Sequence, residues 1–431
     1  MKKRQNIAGL LLLIIILAIG KNKLESPMLF FRLLIGIGFG YTLTRSFLGF
    51  AGSVNRAYNT GSTKLMRVLA YIFLGTSILT AGLLLNSDVK SYTLLINPIN
   101  IGLIAGGLIF GFGMSFSVCC ASGVLTDLVT GFSRAVITLI FFGMGVFIGF
   151  PIQMGAKWLN NYGISTDWVR KSWFTSETGL TSYGGVYLPD LFKNDGLNGY
   201  LGAILMTALL CGILIYISKK YEVKRKLEGT FKGVPSEKEQ YNTKIVEEDK
   251  EIKLFSKEVY EKLFVTPWTM EKGGIIIVIL FTLLMGATKG GWGASTPYGW
   301  WFGRLLLGLG VPVETLVNYS SLPKVVYQMP FFSNPMNLQN MGIIVGTIIC
   351  LLLAGSFTKT VTQEIKINFK QVILYAVGGL LMGFGTRLSN GCNVGALYTP
   401  IANFSLSGWV FLLALVGGGI LGNKVTNKIK I

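Results

Sequence analysis

The sequence predicts an all-α polytopic membrane protein. It should consist of two pseudo-symmetric halves, related as inverted repeats, with short broken helices meeting at the centre. Three observations carry that expectation. Apolar runs recur along all 431 residues, of which 51% are hydrophobic and only 14% charged. A glycine-rich motif with a cysteine at its break occurs once in each half. A charge-dense stretch separates the two halves.

The apolar runs come first. Ile7–Gly20, Val68–Leu85, Ile101–Phe112, Val136–Phe150, Leu201–Ile217, Ile275–Leu284, Gly342–Leu353 and Val410–Leu421 recur along the chain. With their flanks, several approach the roughly 20 residues needed to cross a bilayer, and others are short and broken by glycine. The opening MKKRQ and its apolar run could be a signal peptide or a first span. No small-x-small site precedes Lys21, which favours an uncleaved span.

The formal net charge is +19. Its Lys and Arg cluster at apolar boundaries: Lys2, Lys3 and Arg4, then Lys219 and Lys220, then Lys424, Lys428 and Lys430. That is the pattern of cytoplasmic loops, not of a nucleic-acid groove. It places the N-terminus, residues 219–272 and the C-terminus in the cytoplasm. Residues 219–272 are dense in Lys and Glu and read as a solvated linker. They divide the chain into an N-terminal transmembrane half, 1–218, and a C-terminal one, 273–431. Lys157–Asn198, rich in Trp, Tyr, Gly and Ser, reads as an ordered extracytoplasmic loop.

The repeated motif aligns without a gap. Gly106–Ser133 reads GGLIFGFGMSFSVCCASGVLTDLVTGFS, and Gly378–Ser405 reads GGLLMGFGTRLSNGCNVGALYTPIANFS. Each is an apolar glycine-rich stretch, a cysteine in a Gly/Ser/Asn break, and a second apolar stretch. Paired interrupted segments of this kind point to a transport site at a repeat interface. A weaker correspondence precedes each copy: Gly36–Arg56 and Leu284–Arg304 both cross a glycine-rich break and end on an arginine.

There is no histidine, which removes histidine base chemistry and most zinc sites. There is no Walker A motif, hence no ATP-driven step within this chain. The cysteines are Cys119, Cys120, Cys211, Cys350 and Cys392, with no CxxC among them. Cys211 and Cys350 sit in uniform apolar runs and read as core filler. Cys120 and Cys392 occupy matched positions at the breaks and read as site thiols. Cys119 faces Gly391 in the other copy and stands equally as a second site thiol or as filler.

The chemistry of such a site follows from its parts. Irregular backbone at membrane depth survives only where protein buries it or it lines a cavity. Helix N-termini there favour an anion. A neutral thiol donates a weak hydrogen bond without trapping the substrate by charge. Ser117, Ser122, Ser389 and Asn393 add donors. Arg387 draws an anion inward or, equally, is an ion-paired boundary residue. Asp127 and Arg134 read as a structural pair.

The stretches GGLLMGFGTRLSNGCNVGAL and GMSFSVCCASGVL resemble the paired signature of the YeeE/YedE family of bacterial inner-membrane proteins. The resemblance is strong over the two cysteine motifs and diffuse elsewhere. It implies uptake of thiosulfate or a related sulfur compound, with other members linked to selenium metabolism. Central cysteines would pass the anion along through S–H hydrogen bonds, a role that falls on Cys120 and Cys392. A small cytosolic sulfur-carrier protein is the partner it implies. Thiosulfate-transporting members also carry a cysteine in each outer broken element. Here Arg45–Arg56 and Trp292–Arg304 have none, and Ser46, Ser295 and Thr296 stand there instead.

The sequence therefore points to a non-enzymatic, cofactor-free membrane transporter of a small sulfur-containing anion, thiosulfate first. The alternatives are another sulfur or selenium species, a membrane thiol-redox or sulfur-transfer protein using Cys119, Cys120 and Cys392, and a scaffold subunit. Absence of CxxC and histidine disfavours the redox reading. A scaffold leaves two matched cysteine breaks unexplained.

Overall fold

The apolar runs are helices, and glycine decides how closely they pack. The computed structural model describes residues 2–50, 52–156, 159, 164, 184–247, 257–363 and 367–429. Among these the chain is all helix and connection, with isolated bridges and no strand. Among the described residues, nine helices are long and apolar enough to cross a membrane. A tenth, α5 below, is shorter and apolar. Most of the loop expected at Lys157–Asn198 lies outside the described residues, as do residues 248–256 of the linker.

In chain order, α1 spans Lys2–Lys23, α2 Pro27–Arg45, α3 Gly52–Thr60 and α4 Lys64–Leu85. Then come α5 (Ile101–Ser117), α6 (Gly123–Thr130), α7 (Phe132–Gly155) and α8 (Tyr200–Leu227). In the linker, α9 covers Pro235–Glu247. The second half holds α10 (Met270–Thr288), α11 (Thr296–Gly308), α12 (Pro335–Leu353), α13 (Phe369–Leu388) and α14 (Ser407–Lys428). Their starts are written in the sequence. Ser26 accepts from the Leu29 N–H, with Pro27 at the first helical position of α2. Asn100 caps α5, and Asn368 with Gln371 forms a reciprocal capping box on α13. Such caps satisfy N–H groups that have no partner inside the helix.

The two motif helices, α5 and α13, cross antiparallel through glycine. A Cβ on Gly106 would meet the Gly385 carbonyl oxygen at 2.6 Å, and one on Gly113 the Gly378 oxygen at 2.7 Å. The contact is reciprocal, since Gly378 faces Gly113 and Gly385 faces Gly106. The flanking helices repeat the device. Gly111 of α5 lies on the Leu415 carbonyl of α14, and Gly383 of α13 on the Phe142 carbonyl of α7. Gly418 of α14 returns to the Leu108 carbonyl, and Gly145 of α7 to that of Leu380. Small residues let backbones approach this closely in membrane helices, where packing replaces the hydrophobic drive. A second glycine seam joins α2 to α12, with Gly36, Gly40, Gly342 and Gly346 each against backbone of the other helix.

The ends of the chain and the linker share one face. Gln5 donates to Thr358 just beyond α12. Asn427 of α14 donates to Asn59 of α3, and the Lys232 N–H donates to the Thr60 carbonyl. The linker is more than a solvated connector. Gln240 of α9 is buried and donates to the Ser46 carbonyl at 2.9 Å. Ser62 donates to Glu237 at 2.7 Å. Its composition hid this, because a few polar contacts anchor it without an apolar face.

Gly111→Ala is expected to lower stability by about 2 kcal/mol or more, since overpacking against backbone costs ~1–3 kcal/mol and backbone cannot yield as a side chain can. Thermal unfolding in detergent checks this. Gly212→Ala is the control, because a methyl there meets nothing, and it is expected to leave Tm unchanged or slightly raised.

Candidate functional site

Both motif helices stop in the same way. After Ser117 the chain takes a left-handed conformation at Val118 (φ 57°), and after Ser389 at Asn390 (φ 56°). These are matched positions of the repeat. The serines repeat too. Ser117 donates to Gly113 O and Cys119 O, and Ser389 to the equivalent Gly385 O and Gly391 O. Each hydroxyl ties the last helical turn to the first carbonyls of the break. Valine in the left-handed region is strained, so tertiary packing holds this break open at a local cost.

Beyond the breaks the copies differ. Cys120 lies before α6, its thiol 3.5 Å from the Ser122 hydroxyl and 3.4 Å from the Gly123 N–H that points at it. Cys392 leads into a wide helical turn at Asn393–Tyr398. All five cysteines are free and buried. Although α5 and α13 run antiparallel and end at opposite ends of their contact, the chain folds back after Cys392, since Asn393 donates to the Met114 sulfur near the end of α5.

Tyr298 of α11 joins the two. Its hydroxyl lies within electrostatic reach of Cys392, Cys120 and Cys119 and donates to the Ala121 carbonyl. Nothing in the local sequence singled it out, since only the fold brings α11 between the breaks.

Arg387 is 2% exposed, and every group it bonds is neutral. It donates to Gln153 and Thr296 at 3.2 Å each, to Ser295 at 3.3 Å and to Thr386 at 3.1 Å. Its guanidinium lies over the Phe150 ring at 5.5 Å, and Cys392 is within its electrostatic reach. Among the described residues no carboxylate pairs with it. It is a buried cation held by hydroxyls and an amide, Ser295 and Thr296 among the hydroxyls. Asn393 donates to the Met114 sulfur, leaving its carbonyl oxygen without a partner. Asp127 and Arg134 do pair, at 2.7 Å.

A cavity of about 870 Å³ opens on the linker face and reaches Cys119, Cys120 and Ser122. Arg45, Arg56 and Cys350 lie on its wall. Cys350 is only 1% exposed and remains a core residue that borders this wall, and Cys211 is buried as well, donating to the Ala70 carbonyl between α8 and α4. Arg45 ends an apolar stretch and looks like any boundary arginine in sequence. Cys350 had no break beside it to draw notice.

Membrane-crossing helices broken at matched cysteines, with an unneutralised arginine beside one break, define a polytopic membrane transporter. The model of the sulphur transport family matches residues 45–421, and the chain belongs to that family. It is similar to the thiosulfate transporter TsuA of Spirochaeta thermophila, 22% identical over 400 residues, covering 91% of this chain and 97% of the relative. It is also similar to the probable transporter YedE of Salmonella typhimurium, 28% identical, and of Escherichia coli K12, 27% identical. Those two matches span 37% of this chain and 38% of each relative. The chain is a multi-pass bacterial inner-membrane protein of a sulphur-transporting family.

Tyr298→Phe is expected to destabilise by ~1–3 kcal/mol, because it leaves the buried Ala121 carbonyl without its donor. A fall in Tm with retained secondary structure checks this.

Proposed function

We propose that the chain carries thiosulfate across the membrane through a central passage lined by Cys392 and Cys120. The supporting observation is Arg387: a buried cation bonded to neutral groups, next to Cys392. A charge at that depth costs several kcal/mol unless compensated. A passing anion compensates it transiently, and a fixed carboxylate would remove its purpose.

The thiols act as donors and not as redox centres. A neutral S–H hydrogen-bonds a soft sulfur or an oxyanion oxygen weakly enough for release. Conduction requires binding strong enough to enter and weak enough to leave. The anion meets Arg387 with Ser295 and Thr296, then Cys392, then Cys120 with Ser122 and the Gly123 N–H. Ser117, Ser389 and Asn393 hold the breaks in shape, and Cys119 lies beside the exit. Hydroxyls stand where the family's outer cysteines would be, so another sulfur or selenium oxyanion remains the competing substrate. The reciprocal glycine contacts support an inverted pseudo-two-fold between the halves. The lysine-rich face carrying the linker is assigned to the cytoplasm. A small sulfur carrier would receive the product there. No reaction is assigned to the chain.

In a strain that needs thiosulfate for growth, Cys120→Ala and Cys392→Ala are each expected to slow labelled thiosulfate uptake about tenfold or more. The lost donor is worth ~1–3 kcal/mol, and 1.4 kcal/mol is tenfold in rate. Serine is expected to restore part of the rate, and Cys211→Ala to change nothing. Full uptake with alanine at both breaks would remove the thiol relay. A disulfide formed on each turnover would favour the redox reading.

A further inference from the structure

The linker-face cavity has more in it than an exit path needs. Arg45, the last residue of α2, is 7% exposed and lies on the cavity wall. Its Nε and Nη2 have no hydrogen-bond partner, and among the described residues no carboxylate pairs with it. The Cys350 thiol lies against it. Its own carbonyl is occupied from behind, accepting from the Trp268 N–H at 3.0 Å, so the backbone at this point is fixed. A guanidinium is permanently charged and carries five donors in a rigid fork. Leaving two of its nitrogens unpaired beside a cavity is a costly arrangement in the absence of a ligand.

The remaining wall is chosen the same way. Arg56 lies on it with Nη2 donating to the Phe47 carbonyl and Nη1 without a partner. The acid on the wall nearest the cysteines, Asp127, is already neutralised by Arg134. Glu239 of the linker stands on the wall as well, and its side chain is exposed. The first residues of two helices, Gly52 of α3 and Gly123 of α6, line the cavity, and their helix N-termini favour negative charge.

We propose that this cavity is an oxyanion-binding vestibule in which Arg45, with Arg56, holds a small doubly charged tetrahedral anion between the Cys120 break and the linker face. Arg45 and Arg56 set two permanent positive charges at the wall, and each turns its side chain to bring the now buried, unpaired nitrogens to the ligand. The volume far exceeds one such anion, so the ligand keeps part of its water. The vestibule deepens the transport reading and rests on it only for direction: a substrate leaving Cys120 is captured here before release.

The test uses the full chain, purified in detergent, with sodium thiosulfate and sodium sulfate against sodium chloride at matched ionic strength. Wild type is expected to bind labelled thiosulfate and to melt at a higher temperature in either oxyanion, as any ligand of the folded state stabilises it. Arg45→Gln is expected to remove one class of binding or to weaken it at least tenfold, and Arg45→Lys to keep part of it. If Arg45→Gln does not fold, Arg56→Gln carries the test, with severalfold weaker binding expected. Unchanged binding in a folded Arg45→Gln protein overturns the vestibule, and so does a wild type that neither oxyanion protects. The transport reading fails separately. Cells that take up no thiosulfate, while the purified protein binds an oxyanion through Arg45, refute transport of thiosulfate and support the vestibule. Uptake that persists with Arg45-independent binding refutes the vestibule alone.

Discussion

Everything in this fold depends on the approach of two backbones at Gly106, Gly113, Gly378 and Gly385. In a bilayer no water is released when apolar helices meet, so close packing has to hold them. The α5 and α13 glycines remove the side chains that would keep the backbones apart. Gly111, Gly383, Gly145 and Gly418 then draw α7 and α14 against the same pair. The result is a rigid centre, and rigidity is what allows breaks to survive on either side of it. Irregular backbone at Val118–Cys120 and Asn390–Cys392 would be unaffordable against lipid. Here the two serines, Tyr298 and the neighbouring helices satisfy its groups.

The charges are arranged to be incomplete. Arg387 is surrounded by hydroxyl and amide oxygens, and Arg45 leaves donors unpaired at a cavity wall. The Asp127–Arg134 pair shows that this chain can neutralise an arginine when the structure calls for it. The contrast supports the proposal that Arg387 and Arg45, both buried, are kept for a mobile anion. They stand at different breaks, Arg387 by Cys392 and Arg45 on the cavity that reaches Cys120. In the proposed passage an anion moving between them has a cation ahead of or behind it, and weak thiol donors in between.

Much of this was legible from local chemistry. The spans follow from apolar runs, and the helix starts from Ser26, Asn100 and Asn368. The breaks follow from the gap-free motif register, which the structure repeats down to the left-handed Val118 and Asn390. What the sequence hides is long-range. Tyr298 reaches the Cys120 break from the other half, and Arg45 meets Cys350 from a helix some three hundred residues away in the chain. No periodicity or spacing encodes such a meeting. Gln240 was missed for a related reason. A polar helix anchored by single hydrogen bonds has the composition of a solvated linker.

The most direct test of the central claim is a structure of the full chain determined with thiosulfate at saturating concentration. The account predicts anion density between Arg387 and the linker-face cavity, within hydrogen-bond distance of the Cys392 or the Cys120 thiol. Density on the protein exterior with both breaks empty would contradict it.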